Sequence, residues 1–251
     1  TGGSGGASGE PRDAPVEVPV VDMRPREDVP PVVDVPVDMA PRPDLMPDVV
    51  RNRTAVVVVA DPSANASADV RLKTVLETKG FTVRLGDDDA TAAVTTAGVG
   101  LVVLAGTADS AKLGSKYRDV ALPVMVLETA IFDDMRLTGP TENTDWGADT
   151  VSQITILSNH PMNAGLAGTV AIMSMATKVG WGKPAASALK IASVTGMADH
   201  TAMFAYESGV AMVGGNAMGR RVAMFPGDTN AMLLTADGIK LVSAALDWLF
   251  Q

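Results

Sequence analysis

Ala55-Val56-Val57-Val58-Val59-Ala60 decides the fold of this chain. A run with no polar position and four β-branched residues in succession reads as a strand buried on both faces, the pattern of a parallel sheet covered by helices. Leu101-Val102-Val103-Leu104 and Pro123-Val124-Met125-Val126-Leu127 repeat it. Between the first two runs, Val70, Leu72, Val75 and Leu76 recur at helical spacing from Ser67 to Lys79, and Gly80 is placed to end that helix. Phe81–Leu85 alternates as a strand. Short helices follow over Ala90–Ala97, opened by Asp87-Asp88-Asp89, and near Ser110–Tyr117. Strands alternating with helices at this spacing predict right-handed crossovers. The fold class expected is α/β, a three-layer sandwich with a mainly parallel central sheet.

Beyond residue 127 the chain becomes richer in strands. Ile154–Leu157, Gly168–Met173, Ala188–Val194, Ala202–Tyr206 and Arg221–Phe225 carry the signal. Gly180–Pro184 and Gly214–Asn216 read as turns between strands. A closing helix starts near Thr235, with Ile239, Leu241, Val242, Ala245, Leu246, Trp248 and Leu249 as its apolar stripe.

Residues 1–50 differ from the remaining 51–251. Ten of the 16 prolines lie there, with ten acids and four arginines, so this fifth of the chain carries −6 of the net charge of −9. Proline at that density excludes helix and sheet interior, leaving polyproline II or pairing at a sheet edge. The composition suits a solvated linker, yet eleven valines interleave with the acids, more apolar surface than a solvated spacer needs. In Val33-Asp34-Val35-Pro36-Val37-Asp38, Val33, Val35 and Val37 would share one face of an extended chain. Residues 11–50 in polyproline II span ~120 Å, against roughly 40 Å for a compact domain of the remaining length. Such an arm either wraps its own domain or reaches a neighbour. Its glycine- and serine-rich start, Thr1-Gly2-Gly3-Ser4-Gly5-Gly6, ahead of an acidic Pro/Val tether, has the composition found after a cleaved export signal. An extracellular or bacterial cell-surface location is expected.

The acidic balance argues against a nucleic-acid surface. No apolar run reaches the ~20 residues of a membrane span. With no cysteine among 251 residues, disulfides, thiol nucleophiles and thiolate-bound metals are excluded. No cofactor motif is present: Gly180-Trp181-Gly182-Lys183-Pro184 and Gly214-Gly215-Asn216 lack phosphate-loop spacing. The acid runs Asp87–Asp89 and Asp133-Asp134 lack the spaced series of a calcium loop, so no metal is expected.

Glu128 is the sharpest candidate. It follows a buried strand at the carboxyl end of a parallel sheet, where α/β folds place ligands. A desolvated carboxylate there acts as acid, base or ligand, or else caps the backbone of the next turn. His160, in Ser158-Asn159-His160-Pro161, is a weak second catalytic candidate, with a turn histidine bonded to backbone as the simpler reading. His200 reads as a surface turn at the start of a strand. Trp146 and Trp181 are candidates for stacking a surface glycan, or each packs a loop down. Arg220 and Arg221, ahead of a strand, are candidates to pair with the acids of a neighbouring arm.

Several strings in this order resemble the ThuA-like branch of the class I glutamine amidotransferase-like (flavodoxin-like) fold. They are Val56–Ala60, Leu101–Gly106, Pro123–Glu128, His160-Pro161 with Gly165-Leu166, Gly219–Asp228 and Ala244–Trp248. The resemblance spans residues 54–250 and implies a nucleophilic cysteine on the turn after Pro123–Leu127. This chain has Glu128 and Thr129 there. It shows no late His-Glu pair, and Gly227-Asp228-Thr229-Asn230 stands where such relatives often carry a histidine. Glutaminase chemistry is thereby excluded, and no serine sits in a GxSxG elbow. The function expected is non-enzymatic: an exported bacterial surface protein, a homo-oligomeric subunit of an extracellular assembly or filament held by its arm. The alternative is a tethered carbohydrate-binding or hydrolase-like lipoprotein domain using Glu128, His160 and the tryptophans.

Overall fold

The chain divides between Met46 and Pro47. A computed structural model describes residues 52–64, 66–227 and 230–251. The expected arm, with Val33, Val35 and Val37, lies outside the described residues, as do Asp228 and Thr229. The strands are β1 (Thr54–Val59), β2 (Thr82–Asp87), β3 (Leu101–Leu104), β4 (Val124–Val126), β5 (Trp146–Val151), β6 (Gln153–Ile156), β7 (Thr169–Ala171), β8 (Thr177–Gly182), β9 (Leu189–Val194), β10 (Met197–Tyr206), β11 (Ala211–Met212), β12 (Gly215–Asn216) and β13 (Arg221–Met224). The helices are α1 (Ser67–Thr78), α2 (Ala92–Thr96), α3 (Ser110–Leu113) and α4 (Ala236–Leu249).

The main sheet runs β2-β1-β3-β4-β13-β10-β9-β6-β7. Its first five strands are all parallel. This parallel half is where the apolar runs predicted it. Alternate residues of β1 feed two separate cores: Ala55, Val57 and Val59 face α1 and α4, while Val56 and Val58 face α2 and α3. That is why β1 is apolar at every position from Ala55 to Val59. Helices on both faces make the three layers of an α/β sandwich.

From β13 outward, β10, β9, β6 and β7 continue the sheet antiparallel. A further ribbon of β5 and β8 joins β10 at the register pair Thr201↔Gly182. β8 corrects the reading of Gly180–Pro184 as a turn. Its glycines serve close approach, because a Cβ on Gly180 would overlap Thr129 and one on Gly182 would stand 2.6 Å from Thr138 Cγ2. α3 stops at Leu113, earlier than its expected end, where Gly114 turns the chain with φ of 42°. α4 begins as expected, with Thr235 Oγ1 accepting the Gly238 N–H at 3.1 Å. Among the described residues no helix is long and apolar enough to cross a membrane.

Candidate functional site

The parallel strands end at a common carboxyl edge, where Leu104 of β3 and Val126 of β4 form their last rung. Leu127 still donates its N–H to Leu104 O at 2.9 Å, and then the chain leaves the sheet. Its neighbours close over the gap, with Gly106 and Gly227 bridging in parallel. Glu128 therefore stands on the turn just above the sheet edge, beside the turn after β3. Only 9% of it is exposed, and its Oε1 accepts the Ala130 N–H at 3.0 Å. It caps the 3-10 turn Thr129–Ile131.

The β5–β8 ribbon folds over this turn. Glu128, Thr129, Glu142, Trp146, Lys178 and Gly180 line a recess of about 150 Å3. Its floor is narrow because Gly180 and Gly227 press on Thr129; a Cβ on Gly227 would lie 3.3 Å from Leu127 O and 3.4 Å from Thr129 Oγ1. The recess thus offers one enclosed carboxylate, one half-buried hydroxyl, one indole and two exposed charges of opposite sign. An activated nucleophile needs a base within hydrogen-bond reach and a third group to orient it. Neither histidine supplies that base.

His160 lies at the opposite, amino edge of the sheet. Its Nδ1 accepts the Met162 N–H at 3.2 Å, capping the turn Pro161–Asn163. Its ring meets Trp248 edge-on at 6.1 Å, and the Arg220 guanidinium covers the same indole at 4.7 Å. Burial pushes the His160 imidazole below its ordinary pKa, against the pull of Glu207. The pairing of Glu128 with His160 in one hydrolytic site is therefore corrected: β4, β13 and the length of the parallel strands separate them.

The two tryptophans do not form a platform either. Trp146 pairs with Gly182 and Gly147 with Trp181, so the indoles leave opposite faces of the ribbon. Trp146 lines the recess. Trp181 is 3% exposed and stacks on His200 at 3.6 Å and 13°. As a ligand contact Trp181 is corrected, because its ring is consumed by this stack. His200 Nδ1 in turn lies 2.7 Å from Asp149 Oδ2. His200 is a residue of β10 rather than of a surface turn. Asp149 and His200 are 51 positions apart, and no local signal in the sequence joins them.

Arg221 is wholly enclosed, which corrects its assignment to a neighbour's arm. Its guanidinium donates to the carbonyls of Leu122, Arg220, Arg118 and Val120. Burial lowers its pKa to about 10. Arg220 is engaged within its own chain, with Nε donating to Glu207 Oε2 at 2.8 Å and Nη1 to Trp248 O.

The acid run Asp87–Asp89 gathers its carboxylate oxygens within 4.8 Å, and a lysine already answers them. Lys112 Nζ lies 3.0 Å from Asp89 and 3.3 Å from the fully buried Asp88, which also accepts the Asp109 N–H at 2.8 Å. Those acids, Asp89 first, raise the Lys112 pKa. At Asp133-Asp134, burial and then the neighbouring Asp133 raise the Asp134 carboxyl.

No family model matches this chain, and no curated protein matches it. Among solved structures, a glutamine amidotransferase from Thermotoga maritima aligns with a TM-score of 0.47 at 10% identity, over 79% of this chain and 98% of that one.

Proposed function

We propose that this chain is a non-enzymatic, exported bacterial surface protein, a subunit of an extracellular assembly whose acidic arm engages a neighbouring subunit. Its sandwich is a ThuA-like domain of the class I amidotransferase-like kind, turned from catalysis to scaffolding. One observation carries the non-enzymatic part. The turn on which that fold would hold a nucleophile holds Glu128, whose carboxylate caps the turn. The chain contains no cysteine to take its place. The assembly part is supported by the arm's valines, which a mere spacer does not need, and by its length. A long arm docking on the next copy makes a head-to-tail contact that closes into a ring or runs on as a fibre.

The test uses the full chain and a full chain carrying Val33→Ser, Val35→Ser and Val37→Ser, compared by light scattering. Assembly by the first and monomers from the second are expected. A parent chain that stays monomeric, or a variant that assembles equally well, overturns the reading.

A second reading has one observation in its favour: Trp146 shares the recess with Glu128 and Glu142, an arrangement that suits a small glycan. It predicts saccharide binding by calorimetry that Trp146→Ala removes. It does not involve His160 or Trp181.

A further inference from the structure

We propose that the free edge of β2 receives the Val33–Asp38 segment of a second copy of this chain as an added strand. This rests on the assembly reading above and names the surface that would serve it. β2 is a terminal strand of the main sheet and pairs with β1 over six residues without a bulge. Thr82 N–H bonds to Arg53 O at 2.8 Å and Asp88 N–H to Val59 O at 3.0 Å. Even-numbered residues therefore point their backbone at β1, and Val83 and Leu85 point theirs outward. Among the described residues nothing bonds to the outward N–H and C=O groups of Val83 and Leu85.

Natural edges are blunted by charged side chains, proline, bulges, short length or a covering element. β2 carries the charged Arg84 and Asp87 but has no proline and no bulge. The other two edges are compromised: β7 is only three residues long, with Ala171 O taken by Thr235 Oγ1, and on β5 the Trp146 carbonyl already accepts the Asn143 N–H.

The arm segment fits the β2 edge in three respects. Its valines fall on alternate positions, as do the half-buried side chains of Val83 and Leu85, which pack against the α1/α4 core. Added antiparallel beside them, Val33, Val35 and Val37 would extend that apolar face, leaving Asp34 and Asp38 on the face of Arg84. Pro36 has no N–H, so it must face away from the partner, and then Val33, Val35 and Val37 turn their backbone groups toward β2. The same proline blunts the new edge, so that one strand is added and no more. Finally, residues 39–51 span up to roughly 45 Å when extended, enough to carry the segment clear of a domain about 40 Å across.

The absence of native cysteine makes the test clean. Full chains carrying Val35→Cys are mixed with full chains carrying Val83→Cys or Leu85→Cys, and oxidised. Thr150→Cys on β5 and Thr169→Cys on β7, both exposed, serve as competing edges. Disulfides require Cα atoms within about 7 Å. Mixed dimers with the β2 cysteines at least tenfold above those with β5 or β7 are expected. Dimers favouring β5 or β7, or none while light scattering still shows assembly, overturn this proposal and leave the assembly reading standing. Chains that never assemble overturn both. A Val35→Cys/Leu85→Cys chain diluted into excess cysteine-free chain distinguishes a copy's own arm. Closure within one chain under those conditions also overturns the proposal.

Discussion

Replacing Arg221 by Met should be among the most damaging single changes in the domain. The side chain is fully enclosed, and its guanidinium ties together three carbonyls of the segment after α3, at Arg118, Val120 and Leu122. Hydrogen bonds to a charged donor contribute about 1.5–3 kcal/mol each, so three give roughly 5–9 kcal/mol. Against this stands the burial of the cation. The fall in its pKa from 12.5 to about 10 corresponds to about 3 kcal/mol at ~1.4 kcal/mol per unit. The bonds win, and Arg221→Met should cost about 2–6 kcal/mol. With a urea dependence of about 2 kcal/mol per molar, the unfolding midpoint falls by about 1–3 M. Arg221→Lys, which keeps the charge on fewer donors, should fall between the two. Arg220→Met loses a partly exposed ion pair, a cation–π contact and the bond to Trp248 O and should cost about 1–3 kcal/mol. Equilibrium unfolding of the full chain, followed by circular dichroism, measures all three. If Arg221→Met unfolds within 0.5 M of the parent, the carbonyls are satisfied by water and the argument fails.

Gly180→Ala should destabilise by about 1–3 kcal/mol through overlap with Thr129, and Thr129→Ala should recover most of that loss; additive losses in the double-mutant cycle would show that the contact is not what keeps Gly180 free of a side chain. Tyr206→Phe should cost about 1–3 kcal/mol at neutral pH, since the hydroxyl donates to Leu137 O at 2.8 Å and accepts the Ala185 N–H at 2.9 Å. Because burial raises Tyr206 to about 12, the unfolded chain releases that proton first. The stabilisation then declines as pH rises through the window between about 10 and 12, so the difference between parent and variant narrows there. For His160 the folded pKa is depressed, so the unfolded chain binds its proton first on acidification. Its contribution is full above the unfolded pKa of about 6.5 and is lost as pH falls through it. His160→Gln should flatten that part of the stability profile, and an unchanged slope in pH-dependent unfolding would contradict the assignment.

How legible the chain is depends on whether a residue's reason is local. β1, β3 and β4 could be read because burial on both faces writes itself as an unbroken apolar run. Glu128 could be placed because the end of such a run is the end of a parallel strand. β5 and β8 could not. Their glycines answer to Thr129, Thr138 and the Trp181 ring across space, and a glycine kept for close approach looks the same in sequence as one kept for a turn. The buried arginine was misread for a related reason. Arg221 begins β13 next to an exposed-looking Arg220, and only the fold brings the carbonyls of residues 118–122 around it. The Asp149–His200 contact joins a ribbon strand to β10, a pairing that follows from topology rather than pattern.

The attachment of the ribbon has a mechanical consequence. Among the described residues β5 pairs with no strand but β8, and β8 pairs with the main sheet at Gly182 and Thr201; the Asp149–His200 contact, the Trp181–His200 stack and the Gly180 N–H to Phe225 O bond tie the ribbon down elsewhere. The main sheet is a slab, and the ribbon is a flap whose strand pairing with it is one residue pair long and whose other ties run mostly through side chains. Tilting the flap about Gly182 would change the depth of the recess over Glu128 without breaking a single rung of the β2-to-β7 ladder. The shape of this edge can therefore be tuned by substitutions at those side-chain ties without breaking the ladder of the slab beneath it.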